Sequence, residues 1–284
     1  MNKVSFIGLG VMGYPMAGHL ANAGYAVTVY NRTAAKAQKW CQTYTGTQAE
    51  TPEQAAEQAQ IVFMCVGDDN DVREMAGKVL KVMAPGSVLV DHTTASAEVA
   101  RELAQQAQQQ SIGFLDAPVS GGEAGAINGA LTIMAGGEQA DFDAVLPALK
   151  AYGRQAKLLG KAGSGQLAKM MNQICIAGII QGLAEALHFG QRAGLDCEQV
   201  IEVISQGAAQ SWQMENRAGS MLNNQYNFGF AVDWMRKDLA IALAEARKNG
   251  STLALTALVD QYYADVQKSG GGRWDTSSLL TRLK

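Results

Sequence analysis

Val4-Ser5-Phe6-Ile7-Gly8-Leu9-Gly10-Val11-Met12-Gly13 is a β-rich run that breaks into a glycine-rich turn. From Tyr14 the pattern becomes helical through Ala23, Gly24 stops it, and Ala26-Val27-Thr28-Val29-Tyr30 reads as a second strand. Strand, glycine turn, helix and strand within one βαβ unit is the context in which GxGxxG signifies dinucleotide binding. The first glycine permits the tight turn, the second lets the backbone approach a pyrophosphate, and the third lets helix and strand pack closely. The helix start then offers N–H groups and a positive dipole end to the phosphates. Gly8, Leu9, Gly10, Val11, Met12 and Gly13 are the cofactor-binding positions this predicts.

The second strand ends in Asn31-Arg32-Thr33. An NAD site usually places Asp or Glu here to hold the ribose hydroxyls. Arg32 can instead pair with a 2′-phosphate and stack on adenine, with Thr33 donating a hydrogen bond and no local carboxylate repelling the phosphate. The expectation is NADP, with NADPH preferred over NADH.

Further along, Ile61 to Val66 and Ser87 to Asp91 are continuous apolar runs of the kind buried on both faces of a sheet. Helical segments at Pro52 to Gln60 and Ala95 to Gln109 alternate with them, which predicts a doubly wound parallel sheet. Ligands in such sheets sit beyond the C-terminal strand ends. That adds Cys65, Val66 and Gly67, followed by a polar turn at Asp68-Asp69-Asn70, and Thr93-Thr94. His92 reads as structural rather than as a base. Asp116-Ala117-Pro118-Val119-Ser120-Gly121-Gly122 offers a nest for a substrate carboxylate at Ser120, Gly121 and Gly122, the alternative being glycines that serve the loop's φ angles. Asp116, just before Ala-Pro, is expected to fix loop geometry. Leu131 to Ala135 reads as a further strand ended by Gly136-Gly137.

Gly163-Ser164-Gly165-Gln166-Leu167-Ala168-Lys169 opens an unusually long helix that continues apolar to about His188, with Gly194 as its stop. Apolar around its circumference, it is expected to be buried between other parts. Lys169, Asn172 and Gln173 share one helical face. A lysine there is costly to bury and calls for a reason. The stretch Ile174 to Leu187 is interrupted by Gln181 and Glu185, which suits a core helix rather than a membrane span. Beyond this helix the chain reads as helix upon helix: 197–206, 211–222, 234–247, 253–266 and a short closing helix at 276–283. Lys237-Asp238 reads as a solvated face. The division expected is a dinucleotide-binding domain over 1–162 and an all-α domain over 163–284.

The composition narrows the classes. A chain of 284 residues, 48% apolar and 17% charged with a net charge of -3, gives no electrostatic reason for nucleic acid or an anionic membrane as partner. With no basic leader ahead of an apolar core, a cytoplasmic location is expected. The four cysteines have no CxxC pair and are expected to be buried free thiols; the three histidines are scattered, so no metal is expected.

Four blocks in order resemble the β-hydroxyacid dehydrogenase family, whose members include 3-hydroxyisobutyrate dehydrogenase and tartronate semialdehyde reductase. They are Phe6 to Gly13, Asp116 to Gly122, Gly163 to Lys169, and Lys237-Asp238-Leu239. The resemblance covers nearly the whole chain. It implies a Rossmann-type N-terminal domain, a long interdomain helix and an all-α C-terminal domain, assembled as a homodimer or homotetramer. It implies Lys169 as the catalytic lysine, Ser120 to Gly122 as the substrate loop, Thr94 and Lys237 beside the cofactor, and Asn172 orienting substrate. Many members carry a second asparagine where this chain has Gln173, as some tartronate semialdehyde reductases do. The implied reaction is reversible hydride transfer between NADP and a small hydroxy acid or aldehyde acid. Lys169 acts there as general acid/base, its pKa brought toward working pH by partial burial. Two rivals are a decarboxylating 6-phosphogluconate-type dehydrogenase and a non-catalytic NADP-binding sensor or scaffold. The first is longer and carries a histidine where this chain has Met170-Met171; the second does not require Lys169, Ser120 and Asn172 together.

Overall fold

The computed structural model describes residues 3–283. They divide into two units, the first ending at Lys169 and the second beginning at Met170.

The first unit opens with β1 (Lys3–Ile7), α1 (Gly13–Asn22), β2 (Ala26–Tyr30), α2 (Ala34–Thr43) and the short β3 (Thr47–Gln48). Then come α3 (Pro52–Ala56), β4 (Ile61–Met64), α4 (Asp69–Val79), β5 (Val88–Asp91), α5 (Ala97–Gln108) and β6 (Gly113–Asp116). The sheet continues with β7 (Val119–Ser120), α6 (Gly122–Ile127), β8 (Leu131–Gly137), α7 (Gln139–Leu149) and β9 (Gly153–Leu158), and α8 (Ser164–Arg192) runs on into the second unit. Strand order is β3-β2-β1-β4-β5-β6-β8-β7, with β9 paired to β8.

Strands β3 through β6 are parallel in register. Their alternate side chains feed two cores. Phe6, Phe63, Trp40 and Tyr152 lie in one, and Ile7, Val62, Met64 and Leu89 in the other. A strand buried on both faces must be apolar throughout, and that is why these runs were legible. The sheet is not parallel to its end, however: β8 runs antiparallel to β6 and β7. Between β7 and β8 stands only the six-residue α6, too short for a crossover that would restore parallel pairing. The polar turn expected at Asp68 is also a helix start, since Asp68 caps α4 by accepting from the Asn70 and Asp71 amides.

In the second unit α9 (Cys197–Ile204), α10 (Trp212–Leu222), α11 (Val232–Asn249), α12 (Ala254–Lys268) and a closing 3-10 helix (Thr276–Leu283) form an all-helical core. α8 contributes Ala177, Ile180, Ala184 and Leu187 to it, a stripe at helical spacing. The rest of this helix corrects the expectation of all-round burial, because Met171, Ile179 and Phe189 are exposed. By length and composition alone α8 is long and apolar enough to cross a membrane; 44% of its most apolar stretch is buried within the fold. The cysteines are corrected too: all are free, but only Cys197 is buried, Cys41 and Cys65 are half-buried, and Cys175 is exposed.

The division inside α8 has a local cause. The first turn of the helix is hydrogen-bonded into the sheet.

Candidate active site

The glycine loop turns directly out of β1. Gly8 has φ +95°, and a Cβ there would strike the Cys65 carbonyl; a Cβ on Gly13 would strike the Gly8 carbonyl. The fold itself demands those two glycines. Gly10 is different: nothing lies within 4 Å of where its Cβ would stand. Packing gives no reason for glycine at that position, whereas a pyrophosphate laid against the backbone does. The N-cap of α1, Met12, places no side-chain acceptor on the helix start. These features fit a dinucleotide.

Two predicted cofactor positions also support each other. Leu9 buries its side chain and donates its N–H to Asn31 Oδ1 at 2.8 Å, while Asn31 Nδ2 donates to the Thr33 carbonyl at 3.0 Å. Asn31 therefore stitches the glycine loop to the end of β2. Arg32 projects into solvent, its side chain 85% exposed, and Thr33 is exposed beside it. A carboxylate does stand near, contrary to the local reading: Asp71 Oδ1, from the first turn of α4, is 3.5 Å from Arg32 Nη1.

The loops after β4 and β5 are tied to each other. The Val66 amide donates to Thr93 Oγ1 at 2.9 Å, and Asp69 accepts from both the Ser96 amide and its hydroxyl, at 2.8 and 2.5 Å. A Cβ on Gly67 would meet the Asp71 carboxylate, so Cys65-Val66-Gly67 packs tightly under α4. Thr94 stands half-buried between Thr93 and Ala95. His92 is structural, as expected: Nδ1 donates to the Ala117 carbonyl at 2.6 Å and Nε2 accepts from the Tyr152 hydroxyl at 2.8 Å. Complete burial pushes its pKa down to about 4, so the ring is neutral.

Ser120 ends β7 half-buried, and Gly121 and Gly122 follow with φ of +137° and +62°. These are backbone conformations that favour glycine, so the loop's geometry and an anion nest are served by the same residues. His19 Nε2 lies 3.0 Å from the Ala126 and Ile127 carbonyls, linking α1 to the end of α6.

Asp116 fixes geometry, as its position before Ala-Pro suggested, but its partners lie across the fold. Oδ1 accepts from the Gly163 amide at 2.7 Å and Oδ2 from the Gln166 amide at 2.9 Å, capping α8. Burial pushes its pKa up to about 7, against the pull of those amides. The Gln166 side chain accepts from the Ala95 amide at 3.0 Å and donates to the Thr93 carbonyl at 2.7 Å. Lys169 comes next along this helix face and is buried, 7% exposed.

In the second unit Asn172 Nδ2 donates to Gln173 Oε1 at 2.8 Å, and Gln173 Nε2 donates to Asp238 Oδ2 at 2.7 Å. Gln173 is buried, and its Nε2 also reaches Met235 Sδ at 3.7 Å, so its amide is held among protein groups and supports Asn172. Lys237 Nζ lies 3.4 Å from Asp238 Oδ1 and 5.7 Å from the Trp234 ring centroid. Asp238 is buried at 2% exposure, which overturns the solvated-face reading of this pair. Among the described residues no group of three or more His, Cys, Asp or Glu could hold a metal.

Sequence reasoning missed Asp71, Gln166 and Asp238 as members of these networks. Gln166 and Asp238 stood in blocks that resembled family motifs; nothing local marked Asp71.

The family model described as the NAD binding domain of 6-phosphogluconate dehydrogenase matches residues 3–160. One described as the NAD-binding domain of NADP-dependent 3-hydroxyisobutyrate dehydrogenase matches 163–283. An uncharacterized oxidoreductase of Shewanella frigidimarina is 63% identical over 100% of this chain and 99% of its own. The 2-hydroxy-3-oxopropionate reductase of Escherichia coli is 34% identical over 99% and 97%. Among solved structures, Mycobacterium tuberculosis 3-hydroxyisobutyrate dehydrogenase with L-serine superposes with TM-score 0.92 at 28% identity, covering 100% of this chain and 99% of the other.

Proposed function

The chain belongs to the β-hydroxyacid dehydrogenase family, an oxidoreductase family that uses a nicotinamide cofactor on small molecules, and from that premise we propose an NADP-dependent reductase of short aldehyde acids, reversible toward the hydroxy acid, with Lys169 as general acid/base. One observation carries the reading: a buried lysine, 7% exposed, on a helix whose first turn is hydrogen-bonded to the loop bearing Thr94.

The nicotinamide, when bound, supplies or accepts the hydride. The chain's own residues do the rest. The turn from Gly10 to Gly13 and the start of α1 hold the pyrophosphate, and the loops at Cys65 to Gly67 and at Thr94 flank the nucleotide. Ser120, with the amides of Gly121 and Gly122, holds the substrate carboxylate. Lys169 Nζ gives a proton to the carbonyl oxygen as it becomes a hydroxyl, and takes it back in oxidation. Asn172 orients substrate from the next turn of the same helix, held by Gln173. The role of Lys237 rests on the family resemblance. Relatives carry names for the reduction of 2-hydroxy-3-oxopropionate and the oxidation of 2-(hydroxymethyl)glutarate, which supports a short acid carrying an aldehyde or hydroxymethyl group.

Arg32 supports NADPH over NADH. A charge-assisted contact to the 2′-phosphate is worth about 1.5–3 kcal/mol, roughly a ten- to hundredfold preference. The exposed apolar residues of the second unit support a homo-oligomer.

The test is a panel of aldehyde acids reduced with NADPH and NADH in parallel, alongside Lys169→Ala. The variant is expected to bind NADPH as before and to lose roughly 10²- to 10⁴-fold in kcat. Near-normal turnover in Lys169→Ala would overturn the assignment.

A further inference from the structure

We propose that Gln166 is the positioning residue that sets the Thr94 loop of the cofactor site against Lys169. The proposal rests on the proposed roles of Thr94 and Lys169.

The side chain of Gln166 is 1% exposed and its amide is used at both ends. Oε1 accepts the Ala95 N–H at 3.0 Å while Nε2 donates to the Thr93 carbonyl at 2.7 Å. Those two backbone groups flank Thr94, so a single amide brackets it as a strand partner would. The backbone N–H of Gln166 goes to Asp116 Oδ2 at 2.9 Å, joining the end of β6 to the same residue. Lys169 stands three positions further along the helix, on the neighbouring part of its face.

The bracket has a fixed base. A Cβ on Gly165 would strike the Met134 carbonyl, and one on Gly136 would come within 2.8 Å of the Gly165 nitrogen. The start of α8 therefore sits in backbone contact with the strand ends and has no room to shift. The loop after β5 is tied to the β4 loop through Thr93 and Ser96, and Gln166 sets its position against α8. At neutral pH an amide supplies both a donor and a strong acceptor at this reach; an ionised glutamate lacks the donor, and a methionine keeps only a weak thioether acceptor.

Three readouts test this, with the full-length enzyme. For Gln166→Met we expect faster hydrogen exchange across residues 93–96 in cofactor-free protein. We also expect weaker NADPH binding by calorimetry, and kcat lower by roughly ten- to hundredfold, since small misplacements cost that much. The primary isotope effect with 4-deuterated NADPH should rise, which a loss of folded protein alone would not produce. Gln166→Glu supplies a rescue. Its protonated carboxyl carries both donor and acceptor, and burial at this site raises a carboxyl above its ordinary value, so its turnover relative to wild type should recover as pH falls from about 8 to 5. Asp116 is the titratable group hydrogen-bonded to Gln166, and wild type measured at each pH accounts for it.

Wild-type kcat, isotope effect and loop exchange in Gln166→Met would overturn the proposal. If that variant does not fold, a pH-independent ratio for Gln166→Glu would overturn it. Lys169→Ala separates the two levels. An active Lys169→Ala brings down the functional assignment and this proposal with it, whereas an inactive one beside a normal Gln166→Met brings down this proposal alone.

Discussion

The two units differ less in what they bury, since both hide polar groups, than in what they leave exposed. The first hides polar groups at the ends of β5 and β6, where Asp91, His92, Thr93, Asp116 and Gln166 are all buried. His92, Thr93, Asp116 and Gln166 each tie one segment to another, as in the bond from Thr93 to Val66 or from Asp116 to Gly163. The second leaves large apolar groups in the open, among them Met171, Phe189, Val203 and Leu258, while among the described residues of the first only Val11, Ile127 and Leu159 are so exposed. Most buried polar groups are hydrogen-bonded, and those that are hold backbone segments at fixed separations. Exposed apolar groups specify nothing within their own unit; contiguous patches of them mark surfaces that bind something else. Buried polar networks therefore specify position in both units, through Asp116 and Gln166 in the first and through Gln173 and Asp238 in the second, and the second also keeps an apolar surface available.

The largest expected effect breaks the polar side of this contrast. His92 is neutral in the fold down to about pH 4, against an ordinary value of 6.5. Between those values the unfolded state binds more protons, so this group's contribution to stability is lost as pH falls from 6.5 toward 4, roughly 3 kcal/mol in all. Asp116 acts in reverse: its pKa of about 7 lies above the usual 3.8, so its contribution declines as pH rises between them. The opposed slopes flatten the wild-type curve. His92→Gln should expose the Asp116 slope, and its cost in denaturant titrations should be roughly 3 kcal/mol smaller near pH 4 than near pH 7. An equal cost at both would show that His92 is not held neutral.

A smaller effect concerns the exposed polar pair. Asp71 lies 3.5 Å from Arg32, whose side chain is 85% exposed, and pairs of this kind are worth only about 0.2–1 kcal/mol. If Asp71 competes with the 2′-phosphate, Asp71→Asn should raise the ratio of kcat/KM for NADPH over NADH by about two- to fivefold. A fall would show that Asp71 presents the guanidinium instead.

The smallest effect sharpens the apolar side. Phe189→Ser should change protomer stability by no more than about 0.5 kcal/mol, because the ring is exposed. Its mass by light scattering at micromolar concentration should fall below that of wild type. Unchanged mass would take Phe189 out of any assembly surface.

Much of the fold was legible because its signals are local. A strand buried on both faces must be apolar along its length, as Ile61–Met64 and Val88–Asp91 are. β9 escaped notice because it is an edge strand carrying Arg154, Gln155 and Lys157, with no apolar alternation to betray it. α7 was hidden by Pro147 within it and by a weakly amphipathic pattern. The candidate site divides the same way. Lys169 was visible as a charge on an apolar helix, and Gly10 as a glycine in a βα turn. Gln173 gave no local sign of whether it would touch substrate or support Asn172.

The sequence by itself determined the βαβ start, the long helix with its lysine, the helical second half and the nicotinamide-dependent class, since each depends on residues within a few turns of one another. Only the tertiary structure decided which polar groups are buried and what they hold. Gln166 reaches Ala95 and Thr93 across 71 and 73 residues, Asp116 reaches Gly163 across 47, and Gln173 reaches Asp238 across 65. Such pairs carry no local signal because a side chain's burial belongs to the packing of distant segments. The same glutamine on an exposed helix would hold nothing.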